Sequence, residues 1–119
     1  MASAEEITEA YADWRERSNG NPRLTKMVKG WDRVVHFRTT DTGDGFTMRV
    51  EHQLLCELEV GFVDQPDVIV TGTSEDFCDM FWGDLNPSEK YMAGEITLAG
   101  SQQDVMRIDA ISMVAFLDR

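Results

Sequence analysis

The chain has 119 residues, with 22 acidic against 11 basic side chains and a formal net charge of −11. That balance argues against nucleic acid and against simple adhesion to anionic membranes as partners, because both attract basic surfaces. The length suits a single domain, 1–119, that buries about two thirds of its unfolded surface.

The first residues, Met1 to Glu6, lack the basic and then apolar run of a leader, and nowhere do the roughly 20 apolar residues of a membrane span occur, so a cytoplasmic address is expected. A helix starts at Ser3, whose hydroxyl and the Glu6 carboxylate are spaced as a capping box. Ile7, Ala10, Tyr11 and Trp14 form one apolar stripe along it. Asn21 and Pro22 open a short helical turn through Leu24, Met27 and Val28 that Gly30 stops, and Trp31 anchors the start of the sheet.

Residues 33–62 alternate with period two and predict three strands, Arg33 to Thr40, Phe46 to Gln53 and Leu55 to Phe62, with a hairpin loop at 41–45. A loop centred near Gly43 sets His36 opposite Val50. Asp64, Gln65 and Pro66 break the pattern before the β-branched run Val68, Ile69, Val70, which suits an inner strand reached by a crossover.

A helix over 75–82 follows, with Ser74 as its cap, Glu75 and Asp76 in its first turn and Gly83 as its left-handed stop. Phe77, Cys78, Met80, Phe81 and Trp82 spread over roughly 200° of that helix, about twice the stripe that packing on one sheet requires. Asn86, Pro87, Ser88 and Glu89 start another short helix, with a reciprocal Glu bond expected at its cap, and Tyr91 and Met92 lead to its end at Gly94. Glu95 to Leu98 reads as a strand, and Ser101 caps a last helix. In that helix Val105, Met106, Ile108, Ile111, Met113, Val114, Phe116 and Leu117 run nearly all the way round. A helix of that kind needs a cover or a partner.

A strand ending in TGT, the helix end FWGDLNP, the segment KYMAGEITLAGS and the closing VMRIDAI together resemble the sterol carrier protein 2 family, also called the sterol-transfer domain. The likeness is strongest over residues 67–111 and extends weakly back to NPRLTKMVKGW. It implies an α+β fold: a five-stranded mixed sheet covered by helices on one side, in the order helix, three strands, crossover strand, helices, strand, C-terminal helix. It also implies an apolar tunnel between sheet and helices that takes long-chain fatty acid, acyl-CoA or sterol-like lipid, without catalysis or cofactor.

The side chains expected to line that tunnel are Phe77, Met80, Phe81, Trp82, Tyr91, Met92, Met106, Ile111, Met113, Val114 and Leu117. Four of the methionines, Met80, Met92, Met106 and Met113, fall in the second half, where Met suits an adaptable apolar surface. Residues 1–53 hold 8 basic and 9 acidic side chains and residues 54–119 hold 3 and 13, which sets apart a basic cluster around Lys26, Lys29 and Arg33. These three are candidates for contact with an anionic headgroup, against the plainer reading of a solvated face.

Other chemistry finds little support. His36 and His52 lack a third metal ligand, and no Ser or Cys stands in order with a His and an acid for nucleophilic catalysis. Cys56 and Cys78 are too few for a disulfide framework and read as packed thiols. The function that the resemblance implies is non-enzymatic lipid carriage, by a monomer or homodimer with transient membrane contact. The alternative is a structural or dimerisation module beside a lipid-processing enzyme.

Overall fold

The computed structural model describes all 119 residues. At its start the Ser3 hydroxyl accepts the Glu6 N–H while the Glu6 carboxylate accepts the Ser3 N–H, so the capping box closes and launches helix α1, Ala4–Asn19. The stripe Ile7, Ala10, Tyr11 and Trp14 is buried as expected. Asn21 caps α2, Pro22–Met27, whose Leu24 is buried.

Strands β1, Arg33–Thr39, and β2, Gly45–Glu51, pair antiparallel. His36 faces Thr47, and it is Arg33 that faces Val50. The register differs from expectation because the Thr39 hydroxyl and N–H both donate to the Asp44 carbonyl and end the ladder there. His52 and Gln53 do not extend β2. Both take positive φ, as a two-residue hairpin turn demands, and return the chain to β3, Leu54–Leu55.

The predicted third strand is broken into β3 and β4, Glu59–Val60, each paired only to β2. Side chains of α1 take the backbone groups that would have continued it. Arg15 and Asn19 donate to the Leu55 carbonyl, Asn19 accepts the Leu55 N–H, and the Tyr11 hydroxyl donates to the Cys56 carbonyl. Alternation of apolar residues cannot reveal such competition.

Strand β5, Val68–Gly72, runs parallel to β1, and β6, Thr97–Gly100, closes that edge antiparallel to β5. The sheet order β3-β2-β1-β5-β6, with β4 beside β2, makes a mixed sheet. Val35, Phe37, Phe46, Met48, Val68 and Val70 share its buried helical face, where Phe37 meets Phe77 and Phe81 edge-on. The other face is crossed by the 61–63 segment: Phe62 stacks on His36, and the Thr47 hydroxyl donates to the Gly61 carbonyl. Strand β6 begins two residues later than expected, because Ile96 turns into the core before it.

Between these strands lie α3, Ser74–Trp82, and α4, Pro87–Ala93, and α5, Gln102–Leu117, ends the chain. Asn86 caps α4 through the Ser88 N–H, without the reciprocal bond from Glu89. Ser101 caps α5 as expected. Only one stripe of α5 is buried, formed by Asp104, Ile108, Ile111, Ser112 and Ala115, while Met106 and Leu117 face solvent. Both cysteines are free and half-buried, and burial pushes each thiol up from its ordinary value.

Ser74 does not cap α3. Thr73 does so by accepting the Asp76 N–H, and Ser74 is released for a knot in which its hydroxyl accepts the Ala2 N–H and donates to Asp41. The Asp41 carboxylate also accepts the Ser74 N–H, and these bonds hold it below the usual carboxylate range. Such a group stabilises the fold above its unfolded pKa, and that contribution is lost as pH falls through the lowered folded value. Ser74→Ala is expected to cost about 1–3 kcal/mol, because the buried Ala2 N–H is left without an acceptor. Urea unfolding at neutral and acid pH checks this, since the variant should also lose part of the native acid sensitivity.

Candidate functional site

Two spaces adjoin at α4 and α5. An open groove of about 360 Å³ is lined by Tyr91, Ile96, Thr97, Leu98, Val105, Met106 and Asp109. Behind it, among Trp14, Phe37, Met48, Val70, Met80, Tyr91, Ile108, Ile111 and Ser112, a residual apolar space of about 10 Å³ remains in the core. That is about the room one water needs, whereas the groove is on the scale of small-molecule sites, roughly 300–1,000 Å³.

Tyr91 borders both spaces. It is placed by the short helix α4, fixed at one end by the Asn86 cap and Pro87 and at the other by Gly94 in the left-handed conformation. Its hydroxyl shares a 2.8 Å hydrogen bond with the Ser112 hydroxyl, which in turn donates to the Ile108 carbonyl. Burial pushes the Tyr91 phenol up to about 12 despite that bond, so it stays neutral. Tyr91 is the one side chain common to the linings of the groove and the core space.

The expected lining residues divide. Met80 and Ile111 border the core space, Met106 borders the groove, and Tyr91 borders both. Phe77 and Phe81 are fully buried packing residues, Phe81 lying against Tyr11, Trp14 and Phe37. Met113 and Val114 are half-buried and border neither space. Trp82, Met92 and Leu117 face outward, Met92 with 89% of its surface exposed.

The basic residues do not converge on the groove. Lys26 and Lys29 are exposed on and just after α2. Arg33 is paired at 3.1 Å with Asp104, which also accepts the Trp31 indole N–H. Burial works against the Asp104 carboxylate, yet the bonds from Trp31 and Arg33 outweigh it and hold the group below its ordinary range. Arg107 reaches the Met27 carbonyl, and both arginines flank the Trp31 ring, at 5.6 and 5.8 Å. This arrangement ties α2 and β1 to α5.

Sequence reasoning missed Ile96, Leu98, Val105, Asp109 and Ser112 as neighbours of Tyr91. The signal was present for some of them: Ile96 and Leu98 alternate, and Val105 and Asp109 stand four apart on one helical face. What joins these two faces is the return of β6 onto β5, which is a long-range event.

The model of the SCP-2 sterol transfer family matches residues 13–112. No curated relative matches the chain. Among solved structures, a ubiquinone synthesis protein, UbiJ-SCP2, superposes with a TM-score of 0.70 at 10% identity, covering 92% of this chain and 94% of its own. Palmitated SCP2L2 from Aedes aegypti gives 0.66 at 22% identity, covering 93% and 95%. The sec-alkylsulfatase Pisa1 from Pseudomonas sp. gives 0.58 at 17% identity, with 74% of this chain matching only 13% of that enzyme. These likenesses carry the fold, and the family match carries the general role of lipid binding and transfer. The chain belongs to the SCP-2 sterol transfer family.

Proposed function

We propose that this chain binds long-chain lipids, such as a fatty acid, an acyl-CoA or a sterol-like molecule, and carries them without chemical change. The bound chain enters between α4, β6 and α5. The observation that carries this reading is the position of Tyr91, which borders both an open, mostly apolar groove and an apolar space in the core. Rotation of Tyr91 away from Ser112 joins the two, and Met80, Ile108 and Ile111 then give way to hydrocarbon. The palmitated state of the Aedes aegypti neighbour supports an acyl chain as occupant.

The energetics are adequate for a shuttle. Burying a 16-carbon chain yields roughly 12 kcal/mol at ~0.8 kcal/mol per CH₂. Association costs at least ~4 kcal/mol, leaving about 8, or a dissociation constant near micromolar. Purified protein examined by native mass spectrometry should carry, or take up on addition, one lipid per chain. An empty chain after exposure to palmitate, palmitoyl-CoA, hexadecanol and cholesterol would defeat the reading.

A second reading has its own observation. The fold occupies 13% of the Pisa1 chain, so it occurs as a part of a larger enzyme. Exposed Trp82, Met92 and Leu117 offer apolar surface for such an association, and a stable empty dimer in the same spectra would favour it.

The position of Tyr91 gives a kinetic prediction. Ser112→Ala removes the hydroxyl that holds Tyr91, at about 0.5–1.5 kcal/mol for a neutral hydrogen bond. Stopped-flow fluorescence should show lipid uptake accelerated by up to about tenfold, with little change in the far-ultraviolet spectrum.

A further inference from the structure

The side of α5 turned away from the core carries a repeat of its own. Gln103, Met106, Ala110, Met113 and Leu117 follow one another at intervals of three, four, three and four residues, the spacing of a heptad seam. At about 100° per residue this line lies opposite the buried stripe of Asp104, Ile108, Ile111, Ser112 and Ala115. None of its residues is buried, and Met106 and Leu117 are 63% and 62% exposed. Beside it the surface holds an open hollow of about 460 Å³, lined by Gln103, Met106, Arg107 and Ala110 together with Met27 of α2. The four α5 positions stand at i, i+3, i+4 and i+7, the set of side chains that forms the hole for a single knob when helix packs on helix.

We infer that the occupant of this face is the α5 of a second copy of the chain, set antiparallel, with Leu117 of each copy seated in the hollow of the other. The helix that holds the hole also carries the knob, so one two-fold axis fills both holes at once. This register lays Met113 of one copy over Ala110 of the other, a large side chain against a small one. Charge agrees with the pairing. Copies of a chain with a net charge of −11 repel one another, yet α5 brings few free charges here: Asp104 is paired with Arg33, which leaves Arg107 and Asp109. Lys26 and Lys29, on either side of Met27 in the chain, are exposed and have no ion pair. The antiparallel setting brings the negative C-terminal end of the second α5 toward them.

The size of the contact sets its strength. The seam runs roughly 21 Å at about 1.5 Å per residue, and two helices joined over that length bury on the order of 1,000 Å² in all, the lower bound for a specific contact. The dimer is accordingly weak and concentration-dependent.

Sedimentation velocity on the native chain from about 5 µM to about 500 µM should show monomer giving way to dimer. Met113→Glu places a carboxylate in the seam of both copies and should weaken association at least about tenfold. Leu117→Gln, at an exposed position, removes the knob from both holes and should weaken it about tenfold as well; it carries the test if Met113→Glu does not fold. Neither Met113 nor Leu117 borders the groove or the core space, so lipid uptake by the folded variants should match that of the native chain, whatever the fate of the lipid reading. In a glutathione redox buffer, a mixture of Ala110→Cys and Met113→Cys chains should cross-link several-fold faster than either variant alone.

A native chain that stays monomeric at about 500 µM overturns the inference. So does a dimer that both seam variants leave intact, and so does cross-linking that is fastest for Ala110→Cys alone, the mark of a parallel or shifted pairing.

Discussion

Phe81→Ala is expected to lower the free energy of unfolding by about 3–5 kcal/mol, the range for truncating a buried aromatic ring. Phe81 is fully buried at the point where helix and sheet meet, edge-on to Tyr11 and Phe37 and tilted against Trp14 at centroid distances of 5.2–5.3 Å. Its carbonyl also accepts from Arg17, which ties the end of α3 to α1. Domains of this size are stable by only about 5–15 kcal/mol, so the loss takes a large share of the total. Guanidinium unfolding followed by circular dichroism measures it. A cost under about 1 kcal/mol would mean that the ring is not an anchor of the core.

Val105→Glu is expected to weaken lipid binding by at least about tenfold, since an unpaired charge against hydrocarbon costs several kcal/mol before solvent relieves part of it. Val105 is half-buried on α5 and borders the groove, so the fold should tolerate the change. Met113→Glu is the control. Met113 stands on the same helix and borders neither the groove nor the core space, and its variant should bind like the native chain. Isothermal titration with one lipid distinguishes the pair. Equal weakening in both would move the site along α5 toward its end, and no weakening in either would remove it from this helix.

Much of the architecture was legible because local signals agreed with it. The Ser3 and Glu6 box, the Asn21 and Asn86 caps, Gly83 and Gly94 as left-handed stops and the β-branched run at 68–70 each state an element with a physical cause. Failures came where distant groups competed for the backbone. Nothing near Leu55 and Cys56 announces that Arg15, Asn19 and Tyr11 will take their amide groups and break the strand. Nor does Ser74 announce that Thr73 will cap the helix in its place.

The excess apolar arc of α3 was a real feature with a different cause. Phe77 and Phe81 fill the angle where α1 and the sheet converge on the same helix, so two neighbours cover what one sheet could not. Gly72 makes this close approach feasible, because a side chain there would meet Phe77 and Ile96 at 3.2 Å. The candidate site was less legible. Met80, Tyr91, Met106 and Ile111 were among the residues expected to line the tunnel that the resemblance implies, but the setting of Tyr91 between groove and core needs Ser112 and the closure of β6, both set by tertiary structure.

Under the proposed function, lipid enters between α4, β6 and α5. Methyl NMR spectra recorded while a spin-labelled stearyl alcohol is added test it most directly, because the label broadens only what lies near it. Saturable broadening is expected to centre on Ile96, Leu98, Val105 and Met106, with shifts at Ile108 and Ile111 as the core space opens. Broadening centred on Leu117 and Met92, with Ile96 and Val105 unaffected, would contradict it.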